Sequence, residues 1–222
     1  MQFIIKADDN SLDLLLEANQ YRQMWQSNSR KLLKAFRVVT GLEFQQRTIT
    51  AYVFKGNWST AGRPHHPMRL AGDYRSEEFK LATIVHELSH RLLGGNGLGV
   101  INLGLADEND PNTDEAIELD HRHLYLFEYD VIQLGLGKQW GLVCKQYEER
   151  NPEEANNPHI RAWKWAMSFT HEQRQQILRA LTANKVERAQ WDEFYDKKIE
   201  RIDPKEWKAK LSATIGNYPL TP

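Results

Sequence analysis

Five consecutive residues, His86-Glu87-Leu88-Ser89-His90, carry the strongest chemical signal in the chain. On a helix, positions i and i+4 stand one above the other, so the two imidazoles can meet a single metal ion while Glu87 faces a water on that ion. The chemistry this spacing serves is metal-assisted hydrolysis, with Zn2+ as the ion and Glu87 as general base. A catalytic zinc takes three protein ligands and keeps a fourth position open, so His86 and His90 need a partner from elsewhere in the chain.

The segment around the motif is punctuated as a helix. Ser76 can cap its amino end, Glu77 and Glu78 complement the dipole, and Phe79, Ala82, Val85, Ser89 and Leu92 keep a 3-4 period up to Gly94-Gly95, where a left-handed ending is expected. Ahead of it, Gln2 to Lys6 reads as a short strand and Ser11 to about Val39 as a long helix. Leu12, Leu15, Leu16, Trp25, Leu32, Leu33 and Phe36 form that helix's apolar stripe, and Ser27-Asn28-Ser29 is a point where it would divide. After Gly41 the period changes: Ile49, Ala51 and Val53 alternate with Thr50, Tyr52 and Phe54, which predicts a strand within 42–54. A second extended piece is expected at Pro67 to Ala71. Two extended segments before a metal-binding helix offer a sheet edge on which an extended peptide can be laid.

The third ligand is sought on the next helix, which Thr113 caps and which is expected to run from Asp114 to about Leu134, before Gly135 and Gly137. On a helical wheel Ile117, Leu124, Phe127, Val131 and Leu134 make the buried face, while Glu115, Glu118 and Arg122 share the polar one. Glu118 and Arg122, spaced i,i+4, suit an ion pair. His121 lies at the boundary with Asp114, Tyr125 and Glu128 and is the first choice for the metal; Glu118 is the alternative, with Asp120 and Glu128 behind it. His123 falls on the other side of the helix. His65-His66 diverge at i and i+1 and read as loop or substrate rim. A donor for an oxyanion would come from Tyr125, with Tyr129 and His123 as further candidates. The acidic stretch Asp107 to Glu115 reads as a solvated turn, because its carboxylates lack the spacing of an EF-hand loop.

Composition sets the frame. With 222 residues the chain can form one sizeable domain, taken as 1–150, and a helical extension, 151–222, that includes a capping box at Thr170-His171-Glu172-Gln173 and a helix start at Asp203-Pro204. Seven Trp, several of them in that half, are expected to pack. The single Cys, Cys144, leaves no internal disulfide framework. The amino terminus lacks the features of a secretory signal and no run of apolar residues is long enough to span a bilayer, so a cytoplasmic protein is expected. A formal charge of -1, from 29 basic and 30 acidic residues, gives no general pull toward nucleic acid. The expected fold class is α+β, predominantly α.

The segment from Thr83 to Leu93 resembles the active-site helix of the zincin metallopeptidases, and two extended pieces before it with a ligand helix after it resemble the small gluzincin-like members. The resemblance covers Leu42 to Leu134, roughly two-fifths of the chain, and is specific mainly at HExxH. It implies His86 and His90 as zinc ligands, Glu87 as general base, a peptide or protein substrate, and a zincin-like core with a small sheet packed on the HExxH helix. Two departures stand out. Leu93 and Asn96 occupy the places of the glycine and third histidine of the metzincin pattern, and Leu119 and Arg122 stand where a gluzincin aspartate would follow Glu115 or Glu118. The segment from His121 to Val131 is similar to a stretch in small uncharacterised HExxH proteins, which supports His121. The rival reading is a non-catalytic helical interaction or regulatory protein with a structural zinc site.

Overall fold

A computed structural model describes residues 1–56, 59–61, 66–73, 76–99, 113–139 and 157–183. The described residues are mostly helical, with one three-stranded parallel sheet. The chain divides into two compact units, one formed by Met1–Gly95 and Glu128–Gln146, the other by Asn96–Phe127 and Tyr147–Pro222. The sequence boundary expected near residue 150 lies outside the described residues.

In the first unit, β1 (Gln2–Ala7), β2 (Thr48–Phe54) and β3 (Met68–Ala71) lie in that order. Helix α1 (Leu12–Thr40) makes the long crossover that parallel pairing of β1 with β2 requires, and Ile5 pairs with Ala51 in that register. The alternation read for β2 is observed as far as Val53, with Ile49, Ala51 and Val53 buried and Thr50 and Tyr52 half-buried, while Phe54 at the strand's end is buried as well. Thr60 adds an antiparallel bridge to Arg69 on the outer edge of β3, through N–H to carbonyl bonds of 3.0 and 2.9 Å.

Helix α1 does not divide at Ser27-Asn28-Ser29. Asn28 turns its side-chain amide back to the Met24 carbonyl, 2.9 Å away, which accommodates it inside an unbroken helix. Gly41, at φ 68°, ends it in the left-handed conformation. The stripe shifts in the first turn, where Leu14 is buried while Leu12, Leu15 and Leu16 are exposed. Tyr21 ties α1 to β3 by donating to the Ala71 carbonyl at 2.9 Å.

Helix α2 (Glu77–Gly95) carries the HExxH motif. The Ser76 hydroxyl accepts from the Phe79 N–H at 3.1 Å, as the cap reading requires. Gly94 and Gly95 remain helical or at its last position, and the left-handed glycine is Gly97, at φ 73°. Lys80, almost wholly buried, joins α2 to α1 by donating to Glu17 and, at 2.8 Å, to Gln20.

The helix expected over 114–134 is two helices. Helix α3 (Asp114–Tyr125) belongs to the second unit and α4 (Glu128–Leu136) to the first. Between them Leu126 and Phe127 make a tight turn, with Phe127 N–H bonded to the Leu124 carbonyl three residues back. No glycine or proline marks this break; burial of Leu126 and Phe127 accompanies it. The single-wheel assignment therefore fails in part: Leu134 is exposed, and Glu118 with Arg122, expected on a polar face, are buried. In α4, Gly135 permits close approach to α1, since a Cβ there would meet Leu32 Cδ2 at 2.9 Å.

In the second unit, the Thr113 hydroxyl caps α3 by accepting from Ala116 N–H at 3.2 Å. Asn157 caps α5 (Pro158–Met167), with Pro158 at its first position. The reciprocal capping box opens α6 (His171–Ala183): Thr170 N–H donates to Gln173 Oε1 and Gln173 N–H to Thr170 Oγ1. Tyr125 of α3 meets Trp163 of α5 edge to face, with ring centres 5.3 Å apart. The helix start at Asp203-Pro204, the acidic turn over 107–112 and Cys144 lie outside the described residues. No helix among the described residues is long and apolar enough to cross a membrane.

Candidate metal centre

The i,i+4 geometry of α2 does what the motif spacing requires. His86 Nε2 and His90 Nε2 lie 3.3 Å apart, with the rings at 79° to one another. Two imidazole nitrogens bound to one tetrahedral zinc at about 2.0–2.1 Å would be separated by about 3.3–3.4 Å. The pair is thus spaced as one edge of such a tetrahedron.

Behind His86 stands Glu128, the first residue of α4. Its Oε2 lies 3.2 Å from His86 Nδ1, on the ring side away from His90. An imidazole that donates Nδ1–H to a carboxylate is fixed in the tautomer whose Nε2 lone pair is free for a metal. Glu128, which the sequence also offers for direct ligation, stands behind the histidine. The continuous wheel over 114–134 could not reveal this, because the turn at Leu126-Phe127 resets the face that Glu128 presents.

Glu87 is buried. Burial pushes its carboxyl above the usual carboxylate range, the imidazoles of His86 and His90 oppose that rise, Glu128 adds to it, and the Ala61 backbone N–H, donating to the carboxylate, opposes it. The segment that bridges to the edge of β3 at Thr60 therefore also reaches the carboxylate of the motif. Nothing in the sequence singled out Ala61, since a backbone donor has no residue signature.

His121 on α3 is buried, and its Nδ1 lies 2.7 Å from the Ile117 carbonyl one turn back. That bond assigns the proton to Nδ1 and leaves Nε2 as the lone-pair nitrogen. One ligand atom each from His86, His90 and His121 lie within 4.8 Å of one another, close enough to hold one metal ion.

The other sequence candidates have other surroundings. Glu118 accepts from Arg122 Nη2 at 2.6 Å and from Arg161 Nε at 2.5 Å, so both carboxylate oxygens meet guanidinium groups. Asp120 is half-buried and acts on His123, raising its pKa against a larger effect of burial. His123 is fully buried, and desolvation pushes its imidazole down to about 4, keeping it neutral. Tyr125 is buried against Trp163, and the Tyr129 hydroxyl accepts from Gln133 Nε2 at 2.7 Å. His66 is exposed and its carbonyl accepts from Arg91; His65 lies outside the described residues. Ser89, wholly buried, returns its hydroxyl to the Val85 carbonyl and adds no chemistry. One residue no motif announced is His159, in the first turn of α5, whose ring centre lies 3.9 Å from that of His121.

No protein-family model matches the chain, and no match is found among the curated proteins or the solved structures.

Proposed function

We propose that the chain is a zinc-dependent metallopeptidase, with His86, His90 and His121 holding the ion and Glu87 acting as general base. The observation that carries this reading is the His86–His90 pair, whose 3.3 Å nitrogen separation fits a tetrahedral edge while Glu128 orients the first imidazole from behind. The finer fold reading, a zincin-like core with the small sheet packed on the HExxH helix, goes with it and is supported by the packing of β3 against α2.

A zinc ion in that position would supply a Lewis acid that brings the pKa of a water toward neutrality and polarises a carbonyl. The protein's own groups do the rest. Glu87 takes the proton of the attacking water and delivers it to the leaving amine, and its raised pKa brings it closer to the operating pH of a base that must also act as an acid. Glu128 holds His86 in the ligating tautomer, and the Ile117 carbonyl does the same for His121. Ser59 to Ala61 lies beside the carboxylate, so an extended peptide laid along it would bring its backbone to Glu87.

Elemental analysis of the full chain, purified without added metal or a histidine tag, tests this. About one zinc per chain is expected, lost in a His86→Ala/His90→Ala double variant and kept in Glu87→Gln. Hydrolysis of a mixed fluorogenic peptide library should fall by about 10²–10⁴-fold in Glu87→Gln. Zinc without any hydrolysis would favour the non-catalytic protein with a structural site; no zinc in any form of the protein would remove both readings.

A further inference from the structure

Strand β1 ends the sheet, and among the described residues no strand lies on its outer side. The two ends of its ladder with β2 fix which backbone groups that leaves open. Gln2 N–H donates to the Arg47 carbonyl and Asp8 N–H to the Val53 carbonyl, so the even residues face β2. The odd ones, Phe3, Ile5 and Ala7, turn their N–H and C=O groups outward.

Sheet edges are ordinarily shielded by bulges, prolines, short strands or charges. β1 has little of this. It pairs with β2 over six consecutive residues without a bulge, contains no proline and carries one charged side chain, Lys6. Its side chains are also arranged to suit a copy of itself. Phe3 and Ile5 are buried on the face that meets α1, where Phe3 stands edge-on to Trp25 with ring centres 5.1 Å apart. On the other face Gln2 and Lys6 are exposed and Ile4 is half-buried. An antiparallel pairing about a two-fold axis at Ile4 sets Phe3 opposite Ile5, Ile4 opposite Ile4, and Gln2 opposite Lys6. The outward odd residues then form the hydrogen-bonded pairs, apolar meets apolar, and polar meets polar. An axis at Ile5 also aligns the odd residues, but it sets Ile4 against Lys6 and Gln2 against Asp8.

We propose that β1 is a self-pairing edge that joins two copies of the chain, antiparallel about an axis at Ile4, into one continuous six-stranded sheet. Such a contact is isologous, so it closes as a dimer and does not grow into a fibre. One strand a side makes a small interface, of the weak and transient class. The pairing uses no residue of the candidate metal centre and is independent of the metallopeptidase reading.

Sedimentation equilibrium of the full chain between about 1 μM and about 1 mM, the range in which such a weak dimer forms, tests this. The wild type should pass from monomer to dimer without larger species. Gln2→Lys sets a like charge opposite Lys6 of the second copy at two symmetry-related places and should weaken the dimer by about two- to thirtyfold. Gln2→Glu should strengthen it by a similar factor. Both changes fall on an exposed side chain, so the fold is retained. Gln2→Lys/Lys6→Gln, which exchanges the two side chains, should return to wild-type association. A chain that stays monomeric across the range would overturn the proposal. A dimer indifferent to these substitutions would overturn it by placing the interface elsewhere. The reverse order, tighter with Gln2→Lys and looser with Gln2→Glu, would overturn it in favour of the axis at Ile5, where Gln2 faces Asp8.

Discussion

Two buried glutamates on two helices show how differently one fold can treat the same side chain. Glu118 of α3 lies between Arg122 and Arg161, with both oxygens bound to guanidinium nitrogens. Glu87 of α2 is equally buried, but its neighbours are the imidazoles of His86 and His90, another carboxylate, Glu128, and the Ala61 N–H. A carboxylate clamped by two guanidinium groups holds helices together. One buried with weak compensation has its proton affinity raised and is suited to taking and returning a proton.

The largest effect that separates the two is on folding stability. Glu118→Gln removes the charge of the carboxylate that Arg122 and Arg161 share and should cost about 3–5 kcal/mol. Glu87→Gln removes a carboxylate whose burial is poorly compensated, and the metal-free protein should change by no more than about 1 kcal/mol, in the direction of greater stability. Urea unfolding of the two variants side by side decides the matter. Equal losses in both would mean that Glu87 is a structural residue like Glu118.

The sequence made one member of this pair plain and hid the other. HExxH on a capped helix specifies Glu87 through local spacing alone, because i and i+4 are neighbours wherever the helix packs. The polar face predicted for Glu118 and Arg122 makes their pairing legible but not their burial, since Arg161 reaches Glu118 from 43 residues away. The same distinction runs through the fold. The alternation of Ile49, Ala51 and Val53 revealed β2, and the Thr170 capping box revealed the start of α6, because each is written in consecutive residues. The turn between α3 and α4 has no breaker residue, so a continuous helical period concealed it and displaced Glu128 on the wheel. His121 was reached as a boundary residue, whereas His159 gave no signal beyond its place after the Asn157-Pro158 helix start.

His123 extends the comparison to a buried base. Burial depresses its folded-state pKa from 6.5 to about 4, against opposing contributions from Asp120 and the Leu98 carbonyl. As pH falls through 6.5 the unfolded chain gains a proton that the folded chain refuses until about 4, so the unfolded state binds more protons in that window. The contribution of neutral His123 is therefore whole above pH 6.5 and is lost on acidification, by up to about 3 kcal/mol at pH 4. His123→Phe should flatten the pH dependence of unfolding relative to wild type between those limits. An unchanged slope would show that the imidazole is able to charge in place.

The smallest effect sharpens the contrast at the candidate metal centre itself. Glu128 is buried beside His86 Nδ1, where on the proposed reading it orients a metal ligand, whereas Glu118 joins helices. Glu128→Gln retains a side-chain carbonyl that can accept from Nδ1–H but loses the negative charge that strengthens the imidazole as a donor to a metal. Zinc affinity, measured by competition with a chromophoric chelator, should fall by about 10- to 100-fold while one zinc per chain is still bound at saturation. Glu118→Gln, assayed at a temperature where it remains folded, should bind zinc with an affinity close to that of wild type. A loss in Glu118→Gln as large as in Glu128→Gln would mean that α3 positions the centre through its arginine clamp, and that the two buried carboxylates differ in their partners but not in their consequence for the metal.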